Sequence, residues 1–129
     1  ERGQPPADHA RYRLGCVLQR QGRWEEADQQ FNRLIYVFEK SPFAASAERR
    51  VHARAWTVQA GAFNRQAHAE SAAEKLQAAG LAVQVGPVLA EGGPRFLVLV
   101  GRHATYEAAA AAVDRVRSHE AQAFVTVTR

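Results

Sequence analysis

Cysteine is almost missing from this 129-residue chain, where Cys16 stands alone. A single thiol excludes an intramolecular disulfide and a zinc site built from clustered cysteines. Arg13-Leu14-Gly15-Cys16 does not read as a lipoprotein cleavage site, because an arginine stands three before the cysteine and no apolar stretch precedes it. Cys16 reads instead as a small buried helix residue. Long apolar runs are missing as well, and nothing approaches the ~18–20 residues of a membrane span. Lysine is scarce, with Lys40 and Lys75 set against 15 arginines. The net charge of +4 divides into +3 for residues 1–54 (10 basic, 7 acidic) and +1 for residues 55–129 (7 basic, 6 acidic). No part is therefore a polycation. The opening ERGQPPADHA has neither an initiator methionine nor a signal sequence and reads as an excised fragment or mature segment.

Catalytic signatures are lacking too. His9, His52, His68, His103 and His119 are scattered without metal-ligand spacing. No Ser/His/Asp or Cys/His set is recognisable, and Gly92-Gly93 fits a hairpin turn better than a phosphate-cradling loop. No catalytic residue, metal or cofactor is expected. What the chain does have is an ordinary globular apolar fraction, 47%, which excludes wholesale disorder.

Three segments follow from the patterning. Residues 1–9, with Pro5-Pro6, read as a loose entry. Residues 10–54 are helical. Ala10, Leu14, Val17 and Leu18 fall at helical spacing, Gly22 interrupts, and Trp24, Ala27, Phe31, Leu34, Ile35 and Phe38 make a second stripe. Ser41-Pro42 is expected to end that helix, and the Ala- and Arg-rich stretch from Phe43 to His52 to form a shorter third. From Ala55 the period changes to two. Trp56–Ala60 reads as a strand, Gly61 and Asn64 as a turn, and a helix then runs to about Ala79 with Ala69, Ala72, Ala73 and Leu76 on one face. Gly80 closes that helix. Leu81–Val88 and Phe96–Val100 read as strands around an Glu91–Pro94 hairpin, Thr105 to His119 as a helix, and Ala123–Val127 as the last strand.

Residues 55–129 therefore form βαββαβ with an internal echo at an offset of 40, in which Trp56, Val58, Ala60 and Gly61 match Phe96, Val98, Val100 and Gly101. The expected fold is α+β: a helical hairpin, then a ferredoxin-like or RNP-like domain whose four-stranded antiparallel sheet carries both helices on one face. If Trp56, Val58, Ala60, Phe96, Val98 and Val100 point to the helices, then Thr57, Gln59, Leu97 and Leu99 face solvent. A small apolar patch on an open sheet is where such a domain would hold a ligand.

Trp56-Thr57-Val58-Gln59-Ala60-Gly61-Ala62-Phe63 resembles the opening strand and turn of SPOR (sporulation-related repeat) domains, which favour aromatic-x-Val-Gln-x-Gly-x-Phe. Phe96-Leu97-Val98-Leu99-Val100-Gly101 resembles their third strand, and the Ala-rich helices, Gly80 and Ala123-Phe124-Val125 fit as well. The chain departs from the pattern at Leu97, where a polar or basic residue is common, and at Arg102-His103, where Pro-Phe is common. The resemblance implies binding of bacterial peptidoglycan across the open sheet, especially of glycan strands stripped of stem peptides, and a periplasmic or envelope location that includes sites of wall remodelling or division. It implies Gln59 as a polar contact, Ala62 at a place where some members have a small polar contact, and Phe124 as an aromatic able to stack on sugar. An uncharged sugar chain would offer hydroxyls and acetamides to Gln59 and Thr57, and flat C–H faces to Phe124, Leu97 and Leu99.

The first part resembles a tetratricopeptide repeat through Leu14-Gly15, Leu18, Gly22, Ala27 and Phe31, with the closing proline late at Pro42. Solenoids usually need ~3 or more repeats to bury a continuous core. Barely one and a half are present, so either more lies upstream, or the helices pack on the sheet domain, or two chains pair as a homodimer through this segment. Exposed Trp24 and Phe31 would make an isolated hairpin adhesive. The segment is expected to contact a protein partner. Two alternatives to glycan binding remain. Single-stranded nucleic acid could lie on an RNP-like sheet rimmed by Arg65, Arg95, Arg102 and Arg129, although the exposed middle-strand positions hold no aromatic and no nucleic acid is expected. The other is a protein-interaction module in which the sheet is only structural.

Overall fold

The computed structural model describes residues 7–129. They fall into two compact units, one built from the helical residues up to Ala55 together with Ala104–Tyr106 and Val127–Arg129, the other from Trp56–His103 and Glu107–Thr126.

The helical unit contains α1 (Ala7–Arg20), α2 (Trp24–Val37) and α3 (Pro42–Arg50). The loose entry expected over residues 1–9 lies outside the described residues up to position 6, and from Ala7 the chain is helical. Its core is Leu18, Ala27, Phe31, Leu34, Ala47 and Val51, with Tyr12, Ile35, Phe38 and Phe43 packed against it. Phe31, on the apolar stripe of α2, has no accessible surface, because α1 and α3 both pack on α2. The buried face of α1 is Gly15, Leu18 and Gln19, and not the stripe through Leu14 and Val17, which are about half exposed. Gly15 sits against the Phe31 ring so closely that a Cβ there would lie 2.6 Å from Cε1. Gln19 can be buried because its amide is satisfied on both sides. Its Nε2 donates to the Arg50 carbonyl at 2.7 Å and its Oε1 accepts from Arg50 Nε at 2.9 Å.

Helix α2 stops at Val37, five residues before the proline expected to end it. Ser41-Pro42 instead starts α3. The Ser41 hydroxyl oxygen accepts from the Phe43 N–H at 3.1 Å and Pro42 occupies the first turn, where its missing N–H costs nothing. The same hydroxyl donates to the Asp8 carboxylate, which holds that carboxyl below its ordinary range and ties the start of α1 to the start of α3. Beyond α3 the chain turns through His52, whose φ of 68° is unusual outside glycine. Asp28 secures that turn: Oδ1 accepts from the His52 N–H at 2.8 Å and Oδ2 from Arg54 Nη1 at 2.8 Å.

The second unit follows the expected βαββαβ order: β1 (Ala55–Phe63), α4 (Gln66–Ala78), β2 (Val83–Ala90), β3 (Gly93–His103), α5 (Tyr106–Arg117) and β4 (Phe124–Thr128). The antiparallel sheet has the order β2-β3-β1-β4, so β1 and β3, the two strands of the internal echo, are central. Its core joins Val58, Ala60, Val98 and Val100 to Ala69, Ala72, Ala73 and Leu76 of α4 and to Val113 and Val116 of α5. Helix α4 ends as expected. Gly80 adopts φ +86°, its N–H reaches the Gln77 carbonyl at 2.9 Å, and the Leu81 N–H reaches Leu76 at 3.1 Å.

Strand β1 differs from expectation in one respect that shapes the site. It does not turn at Gly61 but continues to Phe63 through a bulge, since Gln59 pairs with Leu99 while Gly61 pairs with Val98. The extra residue lets Phe63 return to the helix side, where it packs on the core. Its ring then lies over Gly61, where a Cβ would come within 2.8 Å of Cε2.

Candidate functional site: the open face of the sheet

With Val58, Ala60, Phe96, Val98 and Val100 turned to the helices, the register fixes what stands on the other face. Gln84, Leu99 and Gln59 form one row across β2, β3 and β1. Gly86, Leu97 and Ala62 form the next, and Val88 with Arg95 a third. Directly opposed side chains in such rows lie roughly 4.5–5.5 Å apart at Cβ, close enough to act as one surface. On β4, Val125 packs on the core, so Phe124 takes the opposite side and is 47% exposed.

Five of the six expected contact residues thus share this face. Gln59, Leu97 and Leu99 are half-buried, whereas Ala62 and Phe124 are exposed. The bulge is what brings Ala62 onto the same side as Gln59 despite their odd spacing of three.

Thr57 is the exception, expected in solvent but only 1% exposed. Its Oγ lies 3.1 Å from the Val100 carbonyl and 2.7 Å from the Gly101 carbonyl, so its single hydroxyl proton is shared between two backbone acceptors. A second irregularity causes this: Trp56 pairs with His103 and Val58 with Val100, leaving one more residue on β3 than on β1. Where the ladder is broken, the hydroxyl supplies a donor to carbonyls of the broken stretch. Thr57 holds the strand pair together and does not form part of the accessible surface.

The register also adds Gln84, which the patterning left unassigned because a strand read alone does not say which neighbour it will face. Of the four arginines expected to rim the sheet, Arg65 and Arg95 line one cleft with Ala62, Phe63, Asn64 and His68. Arg129 is used elsewhere, with its guanidinium directed to the Val51 and Glu48 carbonyls. Apart from those arginines the face is uncharged. Among the described residues no group of three or more His, Cys, Asp or Glu side chains could hold a metal, and no helix is long and apolar enough to cross a membrane.

An open βαββαβ sheet with both helices on one face defines the class of fold. The SPOR domain family model matches residues 53–126, more than half of the chain, and the chain belongs to that family. SPOR domains are peptidoglycan-binding modules that occur in envelope-associated proteins. No curated protein and no solved structure matches the chain.

Proposed function

We propose that the open face binds the glycan strands of peptidoglycan, with preference for strands stripped of stem peptides, and that the helical unit contributes a separate protein contact. The observation that carries the first part is the composition of the rows: glutamines on both sides of Leu99, and Leu97 between Gly86 and Ala62. A sugar chain presents hydroxyls and acetamides beside apolar C–H faces, and amide side chains next to leucines meet both kinds of group. Gly86 and Ala62 keep the second row low, which leaves room for a ring to lie against Leu97. Phe124 supplies an aromatic surface on β4. Base stacking on the central strands has no counterpart here, since the rings of Phe63 and Phe96 pack on the core and Trp56 is 5% exposed.

The protein contact is supported by apolar side chains that the helical unit leaves exposed, Leu14 and Val17 on α1 and Tyr36 and Val37 on α2. A module of this kind localises the protein in the envelope, at places where amidases expose bare glycan.

Co-sedimentation with purified sacculi tests the glycan assignment. Wild-type protein should be retained more strongly on amidase-treated than on untreated sacculi. Gln59→Ala should lower that retention about fivefold, the equivalent of one net hydrogen bond of ~1 kcal/mol. Equal retention on both preparations would refute the preference for stripped strands, and no retention would refute glycan binding.

A further inference from the structure

Muramic acid carries its carboxyl on a lactyl ether, and in intact wall that carboxyl is tied up as an amide to the stem peptide. Hydrolysis of the amide adds the hydroxyl of water to the carbonyl carbon and releases the peptide as an amine. A carboxylate is left on every second sugar, so a stripped strand is not neutral.

We infer that the cleft between the end of β1 and the start of β3 is a carboxylate subsite for stripped strands, formed by Arg65 and Arg95 with Asn64 and His68 beside them. This rests on the assignment of the open face to glycan. The cleft has a volume of about 540 Å³ and is bounded by Ala62, Phe63, Asn64, Arg65, His68 and Arg95. It continues the proposed contact surface directly: Ala62 pairs with Leu97, and Arg95 stands on the same face two residues before Leu97. Both arginines are exposed. Neither guanidinium has a hydrogen bond or ion pair with any described residue, and no carboxylate lines the cleft.

Some other arginines of the chain are engaged, such as Arg23 with Glu26 and Arg54 with Asp28. What sets Arg65 and Arg95 apart is that their two guanidiniums line one cleft at the end of an otherwise uncharged face. The guanidinium fork matches a carboxylate in a bidentate way and, being permanently charged, discriminates an anion from the neutral amide it replaces. On this account the preference for stripped strands comes from an attractive contact with the charge that stripping creates, in addition to the removal of peptide bulk.

Three glycan preparations and the full chain test this. They are amidase-stripped strands, the same strands with their carboxyls coupled to methylamine, and peptide-bearing strands. Wild-type protein should bind the free carboxylate form about tenfold more tightly than the methylamide form at low salt. Arg65→Gln/Arg95→Gln should bind both forms alike, at the wild-type affinity for the methylamide. Lys75→Gln/Arg115→Gln, which removes the same charge from the helices, should keep the discrimination. Equal wild-type affinity for the two forms would overturn the inference while leaving the glycan face intact, and so would discrimination that survives in the arginine variant or is lost in the helix variant. Failure of the wild type to bind any preparation would instead overturn the glycan face, and the subsite with it.

Discussion

Replacing Gly15 with alanine sets two opposing effects against each other inside α1. Alanine is better than glycine in a helix interior by ~1 kcal/mol. Against this, the new Cβ would lie 2.6 Å from Phe31 Cε1, 2.7 Å from Cζ and 3.0 Å from Cδ1. Carbon pairs are comfortable at roughly 3.5–4.0 Å, so the ring edge would have to retreat by about 1 Å. It has nowhere to go: Phe31 has no accessible surface and is part of a cluster with Leu18, Ala27, Leu34 and Ala47. Forcing an extra methyl into such a site costs ~1–3 kcal/mol. The clash wins, and the helical unit should lose about 1 kcal/mol net. Hydrogen exchange suits the measurement because it reports the two units separately. The slowest amides of α1 and α2 should exchange about fivefold faster, while those of β1 and β3 stay as they were. In a Phe31→Leu background the overlap is relieved and only the propensity term remains, so Gly15→Ala should there slow exchange. Slower exchange from Gly15→Ala alone would refute the packing argument, because it would mean the ring has slack that its burial denies.

Thr57→Val keeps the shape of a buried side chain and removes a hydroxyl that serves two carbonyls, so the denaturation midpoint of the sheet unit should fall by the equivalent of ~1 kcal/mol. Retention on sacculi per folded molecule should not change, and a loss of binding at unchanged stability would return Thr57 to the contact surface. Asp28→Ala leaves the His52 N–H without its acceptor and the Arg54 guanidinium with only the Ala53 carbonyl, and calorimetry should register a loss of ~2 kcal/mol. Asp28→Asn should recover part of it through the retained acceptor for the backbone N–H. Equal stability of all three proteins would show that the turn at His52 is held by something else.

Much of the sheet unit was legible because its side chains alternate cleanly. Val58 and Ala60 against Gln59, and Val98 and Val100 against Leu97 and Leu99, assign faces without coordinates. The repeat at an offset of 40 named the two central strands, and Gly80 marked the end of α4 through backbone conformation alone. What escaped had physical reasons. Leu14 and Val17 lie near one edge of the buried stripe of α1, and hydrophobicity favours them over Gln19. The choice was made by the Arg50 carbonyl and guanidinium, which satisfy an amide at no cost in buried polarity and come from another helix. Pro42 signals a boundary equally well from either side, and only the bonds of Ser41 decide that it begins a helix. Thr57 failed because alternation assumes an unbroken ladder. Gln84 and the Arg65–Arg95 cleft depend on cross-strand register, which no single segment encodes.

The bulge in β1 makes the identity of the open face a matter of register. Side-chain changes along this strand alter one position each, whereas the pairing of the residues between Gln59 and Phe63 governs them all. With the extra residue in place, Gln59 and Ala62 stand together and Phe63 is tucked away. The same residues in unbroken alternation from Gln59 would present Phe63 on the open face and turn Ala62 toward α4, with every atom of the sequence unchanged. Gly61 therefore works as a spacer in a reading frame. The pattern aromatic-x-Val-Gln-x-Gly-x-Phe carries a pairing as well as a set of side chains, and loss of the bulge at unchanged length would exchange open face for core.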